Sequence, residues 1–304
     1  MLTSIRGLTA ATLFAGTAAI AAPAMAAEEA AAETTLDTAI VNVDLTNVVA
    51  PAAATLDTGA IELTRASMPV IEETANKMEG ESGFELSGNV ALVTDYRFRG
   101  VSFSDGDFAL QGGIDLAHSS GFYIGTWASS ISGGGPYGEL ELDVYGGWSG
   151  DISDGVSFDI GLLYYIYPTE NELANFLGVD TDYFEPYASI GFAFGPVSTS
   201  VGVAYAWDQS SLGDQDNLYI YTDFEYGIPD TPLTLTAHLG WTDGVFATDF
   251  DSFGNQSSSF DWGLGASWAV TDSLSLGFNY VDTEGPSFED ATDAGFFFTL
   301  GYSM

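Results

Sequence analysis

The sequence predicts an all-β fold: a 12-stranded antiparallel transmembrane β-barrel of the outer-membrane type, preceded by a signal peptide and a disordered linker. Three observations predict it. From Phe84 onward, segments alternate apolar and polar residues with period two. The connections between them alternate long and short. The apolar faces end in Trp and Tyr, as an interfacial girdle does.

The N-terminus is an address. Residues 1–26 carry Arg6, an Ala-rich apolar run and an A-x-A cleavage site, Ala24-Met25-Ala26, which together read as a secretory signal peptide. Residues 27–83 form an acidic Ala/Thr-rich periplasmic extension whose composition offers little apolar area to offset ordering entropy. Two readings of it stay open: a disordered tail, or a segment that plugs the barrel. Apart from Phe14 all aromatic residues lie in 84–304, so the barrel domain begins at residue 84.

Composition excludes other classes. The 304 residues hold 43 Asp+Glu against 5 Lys+Arg, a net charge of −38, which repels nucleic acid. An aromatic content of 14% argues against disorder throughout. With no cysteine there is no disulfide framework, thiolate metal site or cysteine nucleophile.

Strands are expected at 84–100, 108–118, 122–131, 139–150, 156–167, 184–194, 197–208, 217–227, 233–243, 258–270, 274–283 and 294–304. Their usual length suits a tilted membrane strand of about 9–11 residues. Short turns at Ser119 to Gly121, Asp151 to Gly155, Gly195-Pro196, Ile228 to Pro232 and Thr271 to Ser273 alternate with longer loops. Barrels place short turns in the periplasm and long loops outside, so an even strand number puts both termini on the periplasmic side.

The apolar set is read on even positions: Leu86, Val90, Leu92, Tyr96 and Phe98 in the first segment, Val156 to Ile166 in the fifth, Phe260 to Trp268 in the tenth and Phe296 to Met304 in the last. Val197, Val201, Val203, Tyr205 and Trp207 form the apolar face of the seventh. Trp148, Tyr205, Trp207, Trp241, Trp268 and Tyr302 are the expected girdle. A soluble sandwich shows the same alternation. The secretory signal, the girdle and the aromatic final strand favour the membrane.

Odd positions are then expected to line the lumen with Glu85, Asp95, Asp115, Glu139, Glu141, Asp143, Asp159, Glu185, Asp223, Glu225 and Asp261. Arg97 and Arg99, the basic residues after Lys77, share that face. They are expected either to pair with Asp95 and a facing carboxylate or to set a transverse field at a constriction. Inward tyrosines, among them Tyr123, Tyr145, Tyr165, Tyr187, Tyr219 and Tyr221, are expected to fill space and hydrogen-bond to the acids.

The first strand ends in Asp-Tyr-Arg-Phe-Arg-Gly, Asp95 to Gly100, followed by a Ser/Asp/Gly loop, Gln111-Gly112-Gly113 and a Gly-Phe-Tyr-x-Gly-x-Trp strand at Gly121 to Trp127. Over 84–148 this resembles the TorF-type porins of Proteobacteria. The resemblance implies an outer-membrane barrel with porin activity and no defined substrate. The final strand, Gly295 to Met304, looks like the signal read by the barrel-assembly machinery, although it ends in Met where that signal usually ends in Phe or Trp.

The expected function is a porin in the bacterial outer membrane, passing small cationic or neutral solutes by passive diffusion, with cation preference from an acidic lumen. Outer-membrane lipid surrounds it. The alternative is a closed structural or adhesive barrel whose external loops at 168–183 and 244–257 bind partners. No enzyme activity, cofactor or metal is expected. His118 falls at the periplasmic end of its strand, away from where a lipid-facing hydrolase would act, and Asp180-x-Asp182 and Asp249-x-Asp251 lack a full calcium loop.

Overall fold

A computed structural model describes residues 83–132, 137–169, 181–249, 257–285 and 291–304. The readings of residues 1–82 as signal peptide and extension lie outside the described residues, as do loop acids Asp180 and Asp251.

Twelve antiparallel strands close into a barrel. They are β1 (Phe84–Val93), β4 (Ala109–His118), β5 (Phe122–Ser130), β6 (Leu140–Ser153), β7 (Val156–Ile166), β8 (Tyr183–Phe194), β9 (Val197–Gln209), β10 (Gln215–Gly227), β11 (Leu233–Gly244), β12 (Ser258–Ala269), β13 (Leu274–Thr283) and β14 (Gly295–Ser303). Each pairs with its sequence neighbour, and β1 pairs with β14 from Asn89↔Ser303 to Val93↔Thr299, which closes the ring. Closure satisfies every strand edge, the condition for crossing lipid with sheet. Two further short strands, β2 (Arg97–Phe98) and β3 (Val101–Ser102), form a separate hairpin.

The outer surface is apolar. Leu86, Leu110, Ile114, Ile124, Leu264 and Phe298 are exposed, so the barrel is turned inside out relative to a soluble sandwich. Trp148, Tyr205, Trp207, Trp268 and Tyr302 stand outward near strand ends. On the outside, Tyr164, Phe184 and Trp207 stack in a row across β7, β8 and β9.

The even-outward rule fails on two strands. Residues paired across neighbouring strands share a face. The two-residue turn at Gly195-Pro196 pairs Phe194 with Val197, so the outward set becomes odd along β9. Tyr205 pairs with Leu218 and restores it on β10. Ile220 pairs with Trp241, which makes β11 odd-outward, and Trp241 with Phe260 returns β12 to even. His238 therefore faces the lumen from an even position.

The first strand is a second correction. It ends at Val93, not at residue 100. Thr94 still pairs with Phe298 of β14, and beyond it residues 95–104 turn into the barrel and carry the β2–β3 hairpin. Tyr96 and Phe98, expected toward lipid, are buried inside at 7% and 4% exposure.

Glycines make room for this insertion. Tyr145 pairs with Gly125, and a Cβ on Gly125 would meet the Tyr145 ring at 2.5 Å. A Cβ on Gly202 would meet Tyr221 Cζ at 2.2 Å, and one on Gly240 the Tyr219 hydroxyl at 2.2 Å. The inward tyrosines lie flat along the wall over these glycines, leaving the axis to the hairpin.

Candidate functional site

The inward hairpin is built from the Asp95 to Gly100 motif. Asp95 anchors its base, accepting from Ser102 Oγ at 2.6 Å, from Ser104 Oγ at 3.2 Å and from Arg97 Nε. Arg97 Nη1 donates to the carbonyls of Gly100, Ala291 and Asp293, tying the hairpin to the loop before β14. Arg99 and Gly100 both have positive φ, 49° and 83°. A two-residue turn with that sign suits the twist of a tight hairpin. Gly100 is required twice over, because a Cβ there would lie 2.6 Å from Thr283 Cβ.

The turn delivers Arg99 across the lumen. Its Nη2 donates to Glu185 Oε1 at 2.7 Å and Oε2 at 2.9 Å. The guanidinium sits 4.3 Å from the centre of the Tyr219 ring, 4.7 Å from Phe98 and 5.6 Å from Phe246. Tyr165 also donates to Glu185, at 3.1 Å. Two strands along the wall, on β6, Glu141 accepts from Tyr96 at 2.7 Å and from Tyr167 at 3.1 Å. Phe98 packs edge to face on Tyr165 and Phe246, Phe103 stacks on Tyr137, and Phe98–Phe103 and Tyr183–Phe246 meet at a tilt around the hairpin. Glu141, Asp143, Glu185 and Tyr165 consequently have 0% exposure.

A second network sits deeper. His238 lies between Asp223, at 2.5 Å from Nδ1, and Asp261, at 3.0 Å from Nε2. Tyr219 donates to Asp261 at 3.1 Å and lies 2.8 Å from His238 Nε2, linking this network to the Arg99 cage.

A family model for bacterial proteins of unknown function, Gcw_chp, matches residues 77–300. The chain belongs to that family. No curated protein matches it. Among solved structures, the NanC porin is matched with a TM-score of 0.47 at 11% identity, over 72% of this chain and 99% of that one. An outer membrane channel from Pseudomonas putida F1 gives 0.39 at 13% identity, over 72% and 94%. The DcaP channel of Acinetobacter baumannii gives 0.37 at 12%, over 74% and 99%. At these scores the likeness carries no argument beyond the barrel itself.

In this Gcw_chp barrel the acids expected along the lumen divide by height. Glu141, Asp143, Glu185 and Asp261 are fully buried around or just below the hairpin, and Asp95 lies within it. Asp115 is buried lower down, accepting from Tyr145. Glu85, Asp159, Asp223 and Glu225 are half-buried toward the periplasmic end, Asp159 accepting from Tyr123 at 2.6 Å. Glu139 is exposed and precedes β6, so it belongs to the external rim. Arg97 and Arg99 lie inside the barrel, on the hairpin and not on a wall strand.

Sequence reasoning missed the hairpin and its seat, including Tyr96, Phe98, Phe103 and Phe246. One signal was available: a first segment of 84–100 is far longer than the other strands and ends in a residue–Gly pair typical of a tight turn.

The Gcw_chp barrel is bacterial, closed, and apolar outside. A transmembrane barrel of this kind belongs in the bacterial outer membrane.

Proposed function

We propose that this protein is an outer-membrane channel for small solutes, cation-preferring, whose external half is closed in this state by the β2–β3 hairpin. The observation that carries the reading is the periplasmic half of the lumen. There Glu85, Asp159, Asp223 and Glu225 are partly accessible among Ser87, Ser189, Ser198, Ser200, Ser267 and Ser275. Small side chains leave a water-accessible vestibule, and carboxylates in such a vestibule attract cations and repel anions. The barrier above it sits on a connection, not on a wall strand, so it can move without unzipping the barrel. The resemblance of residues 84–148 to TorF-type porins supports the same reading. The outward aromatics of β14, Phe296, Phe298 and Tyr302, support recognition of that strand by the barrel-assembly machinery.

The test is the reversal potential of the refolded protein in a planar bilayer under a KCl gradient. Conductance with a potassium-directed potential is expected. An anion-directed potential would remove the cation preference.

The second reading, a closed structural barrel, is favoured by one specific observation, the complete burial of Glu141, Glu185, Tyr165 and Tyr219. Replacing 96–103 by a short Gly-Ser linker discriminates. A channel then conducts more, whereas silence from both folded proteins establishes the structural barrel.

A further inference from the structure

We infer that the lumen contains a binding site for guanidinium- or ammonium-bearing solutes, and that Arg99 is its tethered occupant. This deepens the channel reading by naming a solute class for the lumen. The cage has the two components that recognise an organic cation: a carboxylate and aromatic faces. Glu185 supplies both its oxygens, at 2.7 and 2.9 Å from Arg99 Nη2. Tyr219 and Phe246 supply ring faces.

These walls belong to the barrel and not to the hairpin. Glu185 is on β8, Tyr165 on β7, Tyr219 on β10, and Phe246 follows β11. Each is also held by contacts that do not involve Arg99. Tyr165 donates to Glu185 and stacks on Tyr183 with centroids 4.4 Å apart. Tyr183 packs on Phe246 at 5.4 Å. Tyr219 donates to Asp261. The cage therefore persists when the hairpin leaves.

The resident guanidinium fits the cage incompletely. Arg99 is buried, yet its Nε and Nη1 have no hydrogen-bond acceptor among the described residues. Unmade bonds on a buried cation are costly. The chain dictates how Arg99 enters, at a residue with φ of 49°. A free guanidinium has no such tether and can turn to use its remaining donors. The fully buried carboxylates Glu141, Asp143 and Asp261 near the same level add a field that favours cations over neutral or anionic solutes.

The experiment vacates the cage and refills it. Full-length Arg99→Ala protein, refolded in detergent, is titrated calorimetrically with ethylguanidinium and with its neutral isostere ethylurea. Ethylguanidinium is expected to bind about tenfold more tightly or better. Adding Glu185→Gln is expected to abolish that preference. Equal binding of the two probes, or a preference that survives without Glu185, overturns the inference. Should Arg99→Ala fail to refold alone, its refolding yield with added ethylguanidinium becomes the readout: rescue by ethylguanidinium and not by ethylurea supports the cage, and no rescue overturns it. Calorimetry does not depend on conduction. A barrel that binds the probe but never conducts overturns the channel reading alone, and one that conducts without binding it overturns the cage alone.

Discussion

The two halves of the lumen solve opposite problems with the same residue types. In the external half, carboxylates are dry. Glu141 and Glu185 are each held by tyrosine hydroxyls, and Glu185 also by a guanidinium. In the periplasmic half, Glu225 accepts from Ser198 at 3.4 Å and Asp223 from Ser200 at 3.3 Å, with His238 Nδ1 also 2.5 Å from Asp223, whose side chain keeps 29% exposure. A buried carboxylate must be paired, while a hydrated one can act on passing ions. The same acidic composition thus serves as structure above and as electrostatics below.

Three substitutions sharpen this contrast. The largest effect is expected from Glu185→Ala, which strands the Arg99 guanidinium in an apolar cage. Breaking a buried pair in this way costs about 3–5 kcal/mol. The urea midpoint of the barrel refolded in micelles should fall accordingly. An unchanged midpoint would show that Arg99 reaches water and that the external half is not dry.

Gly100→Ala comes next. It places a Cβ against Thr283 at a residue with φ of 83°. Strain and overpacking together are expected to cost about 2–3 kcal/mol. Because the hairpin is displaced while the wall strands keep their pairing, single-channel conductance should rise. Loss of stability with unchanged conductance would separate the hairpin from the permeation barrier.

The smallest effect on stability is expected from Glu225→Gln in the vestibule, within about 0.5 kcal/mol. Its signature is electrical: the reversal potential under a salt gradient should move toward anions. A large stability loss with no electrical change would place Glu225 with the structural acids. Glu141 and Asp143, by contrast, are fully buried, so charge reversal there does not test selectivity.

Much of the architecture is legible in the residues because a lipid-facing barrel leaves a strong pattern. Leu110, Ile114 and Leu116 on β4 alternate with Gln111, Gly113 and Asp115, and the sheet then has one way to face lipid. The inward acids are legible for the same reason. Parity is less secure, because it depends on turn length. The two-residue turn at Gly195-Pro196 flips it for β9, as the odd-numbered apolar set Val197 to Trp207 shows and the pairing of Phe194 with Val197 explains. The cage is the least legible part. Arg99 and Glu185 are far apart in sequence, on a hairpin and on a wall strand, and no local spacing relates them.

The sequence by itself pointed to a closed sheet with an apolar outside and an acidic inside, since the Trp and Tyr girdle turns the alternating apolar face toward lipid and backbone satisfaction there requires closure. Only the tertiary structure decided that the inside is two compartments. Whether a carboxylate is dry or wet depends on what folds over it from elsewhere in the chain. Here that is ten residues, 95–104, which leave the wall because Arg99 and Gly100 turn the chain inward and the glycines beneath the tyrosines leave the axis free to receive it.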